Sequence, residues 1–214
     1  ERVQKQETVK EGKVPLSVLR PPRLVGREKG QRVLESISET VVMISGEPGV
    51  GKSRFLSDVL TKARVLRCRE GLANVSYFPL AEYVRNNLAA LPDLGPYRTD
   101  LARLVPEVLP DATSAPDPQT AKVRLSEALA IVLESVTTPV LFEDVQWADV
   151  ATLEFLVFLA VRGKLKLYGS YRSNEISDAL MATLKSLRGS RLLAELRLEP
   201  LASDAIRALL ANLI

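Results

Sequence analysis

Eight consecutive residues, Gly46-Glu47-Pro48-Gly49-Val50-Gly51-Lys52-Ser53, follow the spacing G-x-x-x-x-G-K-[ST]. Glycines at 49 and 51 let the backbone curl around an anion with no Cβ in the way. Free N–H groups at a helix start, together with the helix dipole, favour negative charge there. This chemistry implies a nucleotide phosphate, with Lys52 reaching the β- and γ-phosphates and the Ser53 hydroxyl on Mg2+. The motif requires a strand before it and a helix after it. The apolar run Val41 to Ser45 and the segment Ser53 to Ala63 meet both requirements.

A Mg2+–nucleotide site also needs a carboxylate at the tip of a neighbouring strand. Val140-Leu141-Phe142-Glu143-Asp144 ends in two. We expect Glu143 to hold the metal, through water because Mg2+ keeps much of its hydration shell, and Asp144 to polarise the attacking water. Glu is one carbon longer than Asp, so local sequence leaves open which acid takes which role. The next strand ends in Gly169-Ser170-Tyr171-Arg172-Ser173-Asn174. Arg172 has two readings there: a contact to the γ-phosphate, or a surface arginine paired with Glu175. Trp147 and the group Tyr77, Phe78 and Tyr83 read as packing residues, and Cys68 as a small buried hydrophobe.

The bulk properties narrow the alternatives. At 214 residues, 46% hydrophobic and 26% charged, the chain is long enough for one substantial α/β domain. A net charge of +3 makes no case for direct nucleic-acid contact, and no helix-turn-helix stands apart from the α/β elements. With one cysteine and no histidine, internal disulfides, cysteine clusters and histidine-based catalysis are excluded. No run approaches the length of a membrane span, and the charged opening is no signal peptide, so we expect a cytoplasmic setting. A small-molecule kinase would share the phosphate loop but need an arginine-rich lid, and no such cluster is present.

Strands at Val41–Ser45, Val65–Cys68, Val140–Phe142, Leu165–Ser170 and Leu192–Leu198 alternate with helical segments. Helices are expected after Gly26, at Ser53–Ala63, Leu80–Leu91, Thr99–Val105, Thr120–Val136, Ala151–Val161, Ile176–Leu187 and Ser203–Leu213. Nearly all-apolar strands between helices imply a parallel sheet covered on both faces. Residues 1–23, polar and carrying Pro15, Pro21 and Pro22, read as a tether; Asp111 to Gln119 is a break.

LVGRE (24–28), ISGEPGVGKSRFL (44–56), VLFEDVQWAD (140–149), LYGSYRSNE (167–175) and LEPLASDAIRALL (198–210) together resemble the STAND subgroup of AAA+-type P-loop ATPases. The likeness is to the ATPase module of bacterial multidomain transcriptional regulators and related signalling proteins. It implies a three-layer αβα sandwich on a five-stranded parallel sheet of order 5-1-4-3-2. It places Val25, Gly26 and Arg27 along adenine and ribose, Gly46, Glu47, Pro48, Gly49, Val50, Gly51, Lys52 and Ser53 around the phosphates, and Arg54 beside them. It makes Glu143 and Asp144 the Walker B acids and Arg172 the sensor 1 residue. The family often has histidine where this chain has Gln146.

The division that follows is a tether (1–23), a P-loop nucleotide-binding domain (24–200) and the start of a helical lid (201–214), within a longer polypeptide. Expected cofactors are ATP or ADP with Mg2+; GTP is disfavoured because no N-K-x-D tetrad is present. The implied function is a regulatory ATPase switch, with self-association or contact to other domains of the same polypeptide. The alternative is a nucleotide-holding interaction module with negligible hydrolysis. No contact with nucleic acid or membrane is expected.

Overall fold

The computed structural model describes residues 25–109 and 118–211. The tether expected at 1–23 and most of the break at 111–119 lie outside them. The described elements run α1 (Glu28–Ser36), β1 (Val41–Gly46), α2 (Lys52–Val59), β2 (Arg64–Arg67), α3 (Phe78–Asn86), α4 (Arg98–Leu104) and α5 (Pro118–Glu134). They continue with β3 (Val140–Glu143), α6 (Val150–Arg162), β4 (Leu167–Arg172), α7 (Asp178–Gly189), β5 (Leu193–Arg197) and α8 (Ser203–Ala211).

The described residues divide into two compact bodies, one within 29–200 and the other formed by 25–28 with 201–211. In the first, five strands form one sheet in the order β2-β3-β4-β1-β5. Every neighbouring pair is parallel. Read from the other edge this is 5-1-4-3-2, the order the resemblance implies. Every residue of β1 and β3 is buried, whereas the two edge strands expose charged side chains, Arg67 on β2 and Glu195 and Arg197 on β5. Charged edges of this kind block pairing with further strands. The core beneath and above the sheet joins Met43, Leu66, Phe142 and Leu167 to Leu80, Leu101, Leu129, Phe155 and Leu184 from the helices.

Element ends shift from the expected ones for local reasons. Helix α2 stops at Val59 because Leu60 leaves helical geometry at φ −105°, ψ 58°. Strand β2 begins at Arg64, whose N–H donates to Pro139 O at 2.9 Å. The Arg64 guanidinium also donates to the carbonyl of Leu133 in the last turn of α5, an acceptor the helix end leaves free, and to those of Val136 and Thr138 just beyond it. Helix α6 carries both signals legible in sequence, an Asp149 N-cap and Gly163 in left-handed geometry after its last residue.

In the other body, Gly26 adopts φ +71°, and a Cβ there would lie 2.5 Å from Ala205 Cβ. Its N–H donates to Glu28 Oε1 at 3.2 Å.

Gly169 faces Met43 across the β1–β4 ladder and Phe142 across β3–β4. A Cβ at 169 would fall 2.3 Å from Met43 Sδ, a side chain with no solvent exposure. Gly169→Ala is therefore expected to cost about 1–3 kcal/mol through overpacking. Met43→Ala removes the obstructing sulfur but opens a cavity of its own, so the double variant should lose less than the sum of the two single variants. Urea unfolding of the two singles and the double checks this; additive losses would show that the two positions do not collide.

Candidate functional site

The parallel sheet delivers the C-terminal ends of β1, β3 and β4 to one edge, and the chemistry-bearing residues follow directly from them. After β1 the chain turns through Glu47–Gly51 into α2. Gly51, just ahead of the helix, has φ 94°, a left-handed geometry that side chains with a Cβ rarely adopt. Gly46 is required for a different reason. A Cβ there would meet Leu198 O at 2.7 Å and Val50 Cγ1 at 2.9 Å.

Lys52 opens α2 with only 7% of its surface exposed. Its Nζ donates to the carbonyl oxygens of Gly46 and Glu47, each at 2.9 Å. Burial lowers the Lys52 pKa; Asp144 and Glu175 oppose that change and Arg172 adds to it. The ammonium is thus folded into the phosphate loop, with carboxylates and a guanidinium from β3 and β4 close enough to act on it.

The two acids at the end of β3 have different surroundings. Glu143 ends β3, opposite Arg67 in the β2–β3 register. Its Oε2 accepts from Arg67 Nε at 2.8 Å, with Glu143 largely buried and Arg67 largely exposed. That bond is the main cause of a raised Arg67 pKa. Asp144 follows in left-handed geometry, φ 57°, ψ 47°, a conformation that Asp tolerates better than most residues with a Cβ. Its N–H donates to Ser170 Oγ at 3.1 Å, and its Oδ1 accepts from Gln146 Nε2 at 3.3 Å.

Arg172 closes β4. Its Nη1 lies 2.7 Å from Glu175 Oε1, and its guanidinium carbon stands 4.6 Å from the centre of the Trp147 ring. The pairing read in sequence as one alternative is therefore present. The Glu175 hydrogen bond dominates a raised Arg172 pKa, with Asp144 and Glu70 adding to it. Trp147 packs as expected, and its ring face supports that cation.

Among the described residues no group of three or more His, Cys, Asp or Glu is placed to hold a metal ion. Mg2+ carried in on phosphates and water would need few protein ligands, and Ser53 with one carboxylate would be the residue types to supply them. The described residues do not fit an all-protein cage. Val25, Gly26 and Arg27, expected along adenine, belong to the other body; burial lowers the Arg27 pKa.

Several contributors escaped sequence reasoning. Arg67 and Ser170 had no local signal, because each acts through a partner on the adjacent strand. Asp149 did have one, since Asp before an apolar helix followed by Thr152 is an N-cap pattern. Its Oδ1 accepts from Thr152 N at 2.9 Å and from Tyr77 N at 3.0 Å. Through Tyr77, the carboxylate that caps α6 also fastens the segment entering α3.

The family model described as "AAA ATPase domain" matches residues 23–169. The chain belongs to that family. No curated protein matches this AAA ATPase domain. Among solved structures, it is similar to a STAND (signal transduction ATPase with numerous domains) protein with a tetratricopeptide repeat sensor from Pyrococcus horikoshii. The identity is 18% and the TM-score 0.54, over 92% of this chain and 27% of that one. This likeness shows the fold alone, and the domain spans about a quarter of that protein's length. An ATP-binding subunit of an ABC transporter aligns at 13% identity and a TM-score of 0.36, over 81% of this chain and 88% of that one. By its family the domain is a nucleotide-binding ATPase module. Among its described residues no helix is long and apolar enough to cross a membrane.

Cys68 follows β2, 4% exposed, and its N–H donates to Glu143 O at 3.0 Å. Burial pushes its thiol up to about 12, with Asp149 and Asp144 adding to the effect. The folded domain at pH 8 should therefore react with iodoacetamide far more slowly than the urea-unfolded chain, because the thiolate is the nucleophile. Mass spectrometry checks this, and prompt labelling of the folded domain would contradict it. The sign for stability follows. The thiol's contribution is whole below its ordinary 9.0 and is lost as pH rises toward about 12.

Proposed function

We propose that this domain is an ATP-operated switch within a larger signalling or transcription-regulating protein. ATP and Mg2+ bind at the phosphate loop, the triphosphate state promotes self-association or contact with other domains of the polypeptide, and slow hydrolysis to ADP and phosphate resets it. The carrying observation is the buried Lys52 ammonium in its loop, acted on electrostatically by Asp144, Arg172 and Glu175. A triphosphate fits this arrangement. Lys52 would exchange neutral carbonyl acceptors for anionic phosphate oxygens, which make the stronger hydrogen bonds.

In this reading the backbone from Gly46 to Arg54 surrounds the phosphates. Mg2+ would be held by Ser53 and, through water, by Glu143. When bound, it neutralises phosphate charge and orients the γ-phosphate. Asp144 orients the attacking water, and Arg172 reports the γ-phosphate by leaving Glu175 for it. The STAND protein of similar fold carries a tetratricopeptide sensor, and an analogous neighbouring domain would read the nucleotide state here.

The Glu143–Arg67 pair favours slow turnover, because the acid must leave a cation before it serves the metal. Taken further, the same observation supports a module that holds nucleotide with negligible hydrolysis.

Calorimetric titration with ATP, ADP and GTP in Mg2+ is expected to show adenine nucleotides binding and GTP binding weakly. Lys52→Ala should weaken ATP binding at least about tenfold, the scale of one lost charge-assisted hydrogen bond. Undiminished affinity would remove the site assignment. Glu143→Gln and Asp144→Asn should abolish phosphate release while ATP still binds, whereas Arg67→Ala should raise the rate. Wild-type release at the blank level with tight ADP binding would establish the holding module instead. Gel filtration with each nucleotide tests self-association.

A further inference from the structure

The 3-10 turn Val145–Trp147 sends three consecutive side chains to three different tasks. Val145 is fully buried in the core. Trp147 supports the Arg172 guanidinium. Between them Gln146, only 7% exposed, makes two hydrogen bonds to different elements of the site. Its Nε2 donates to Asp144 Oδ1 at 3.3 Å, and its Oε1 accepts from the backbone N–H of Arg172 at 3.2 Å.

The orientation of that amide is fixed by its partners. A backbone N–H only donates, so the Gln146 atom facing Arg172 is the carbonyl oxygen. A carboxylate only accepts, so the NH2 group faces Asp144. Few side chains offer a donor and an acceptor at this separation. Glutamate would keep the bond from Arg172 but set a second negative charge beside Asp144. Methionine matches the length of glutamine and makes neither bond.

We propose that Gln146 is a positioning residue that sets the direction of the Asp144 carboxylate and ties it to the end of β4. The Asp144 backbone is held by Ser170 Oγ, also on β4, so main chain and side chain of this acid are both referenced to one strand. Arg172, the residue proposed to sense the γ-phosphate, terminates that strand. Movement at Arg172 is thereby transmitted to Asp144 through one amide. This assignment rests on the reading of Asp144 as the water-orienting acid.

The test compares Gln146→Met and Gln146→Glu with the unaltered 214-residue chain. Hydrogen exchange at the Arg172 amide reads one half of the bridge; proton shifts of the Gln146 side-chain amide read the other. Those side-chain protons should move on Asp144→Ala without any nucleotide present, and unchanged shifts would overturn the bridge. Gln146→Met should speed exchange at Arg172, whereas Gln146→Glu should leave it protected. Both variants should bind ATP with little change in KM yet lose about tenfold or more in kcat, the scale of one bond to a charged group. Wild-type kcat in Gln146→Glu would overturn the positioning of Asp144. Wild-type kcat in Gln146→Met, with Arg172 deprotected, would make the bridge purely structural. If the unaltered chain binds no ATP, the switch reading fails, and the Asp144→Ala comparison still decides the bridge.

Discussion

Parallel register across β1, β4 and β3 is the constraint on which the rest of this site depends. Gly46 is paired with Arg172, and Phe142, just before Glu143, with Gly169. Because the strands run the same way, their polar ends emerge at one edge while their apolar bodies fill the core. A one-residue slip would invert the faces of a strand and move its terminal residue off the edge. Gly169 maintains the alignment from inside, since Met43 occupies the space a Cβ would need. The register also explains Arg67, which stands opposite Glu143 on β2 although 76 positions separate them in the chain.

Charges at this edge alternate in sign. Lys52 is acted on by Asp144 and Glu175, Arg172 by Glu175, Asp144 and Glu70, and Arg67 by Glu143, Glu82 and Asp144. Glu143 and Lys52 are mostly buried, while Arg67 is mostly exposed. Exposed charges contribute little to stability in such pairs. The pairing matters more for where each carboxylate is held than for how firmly the fold is held.

The fold was largely legible because its signals are local and repeated. An all-apolar β1, a glycine-lysine turn and an amphipathic helix each announce themselves within ten residues or so, and their alternation fixes a parallel sheet. Strand ends were harder: the central β4, expected at Leu165–Ser170, runs Leu167–Arg172, and β2 was displaced by one residue because its start is defined by the Arg64–Pro139 bond rather than by hydropathy. The candidate site was legible in residue type and illegible in connection. Sequence offered Glu143 and Asp144 as near equivalents. Their difference lies in Arg67 on one neighbouring strand, Ser170 on the other, and a left-handed turn at Asp144 that no spacing rule foretells. Gln146 was noticed only as a substitute for histidine, yet its amide spans two elements.

The absence of histidine from this chain has a physical consequence for the proposed switch. Histidine is the side chain whose ordinary pKa falls near neutrality. The cations around this site are lysine and arginine, and its anions are Asp and Glu, residue types whose ordinary pKa values lie far from neutrality. Protons are therefore poor messengers here, and a change of state must come from a change in the charges present. In the proposed switch a γ-phosphate would bring such a change to Lys52 and Arg172, competing with Glu175 for the guanidinium that rests on Trp147. Hydrolysis would withdraw it again. With Gln146 spanning the Arg172 backbone and the Asp144 carboxylate, the group that would detect the γ-phosphate and the group that would direct water at it share one hydrogen-bonded unit.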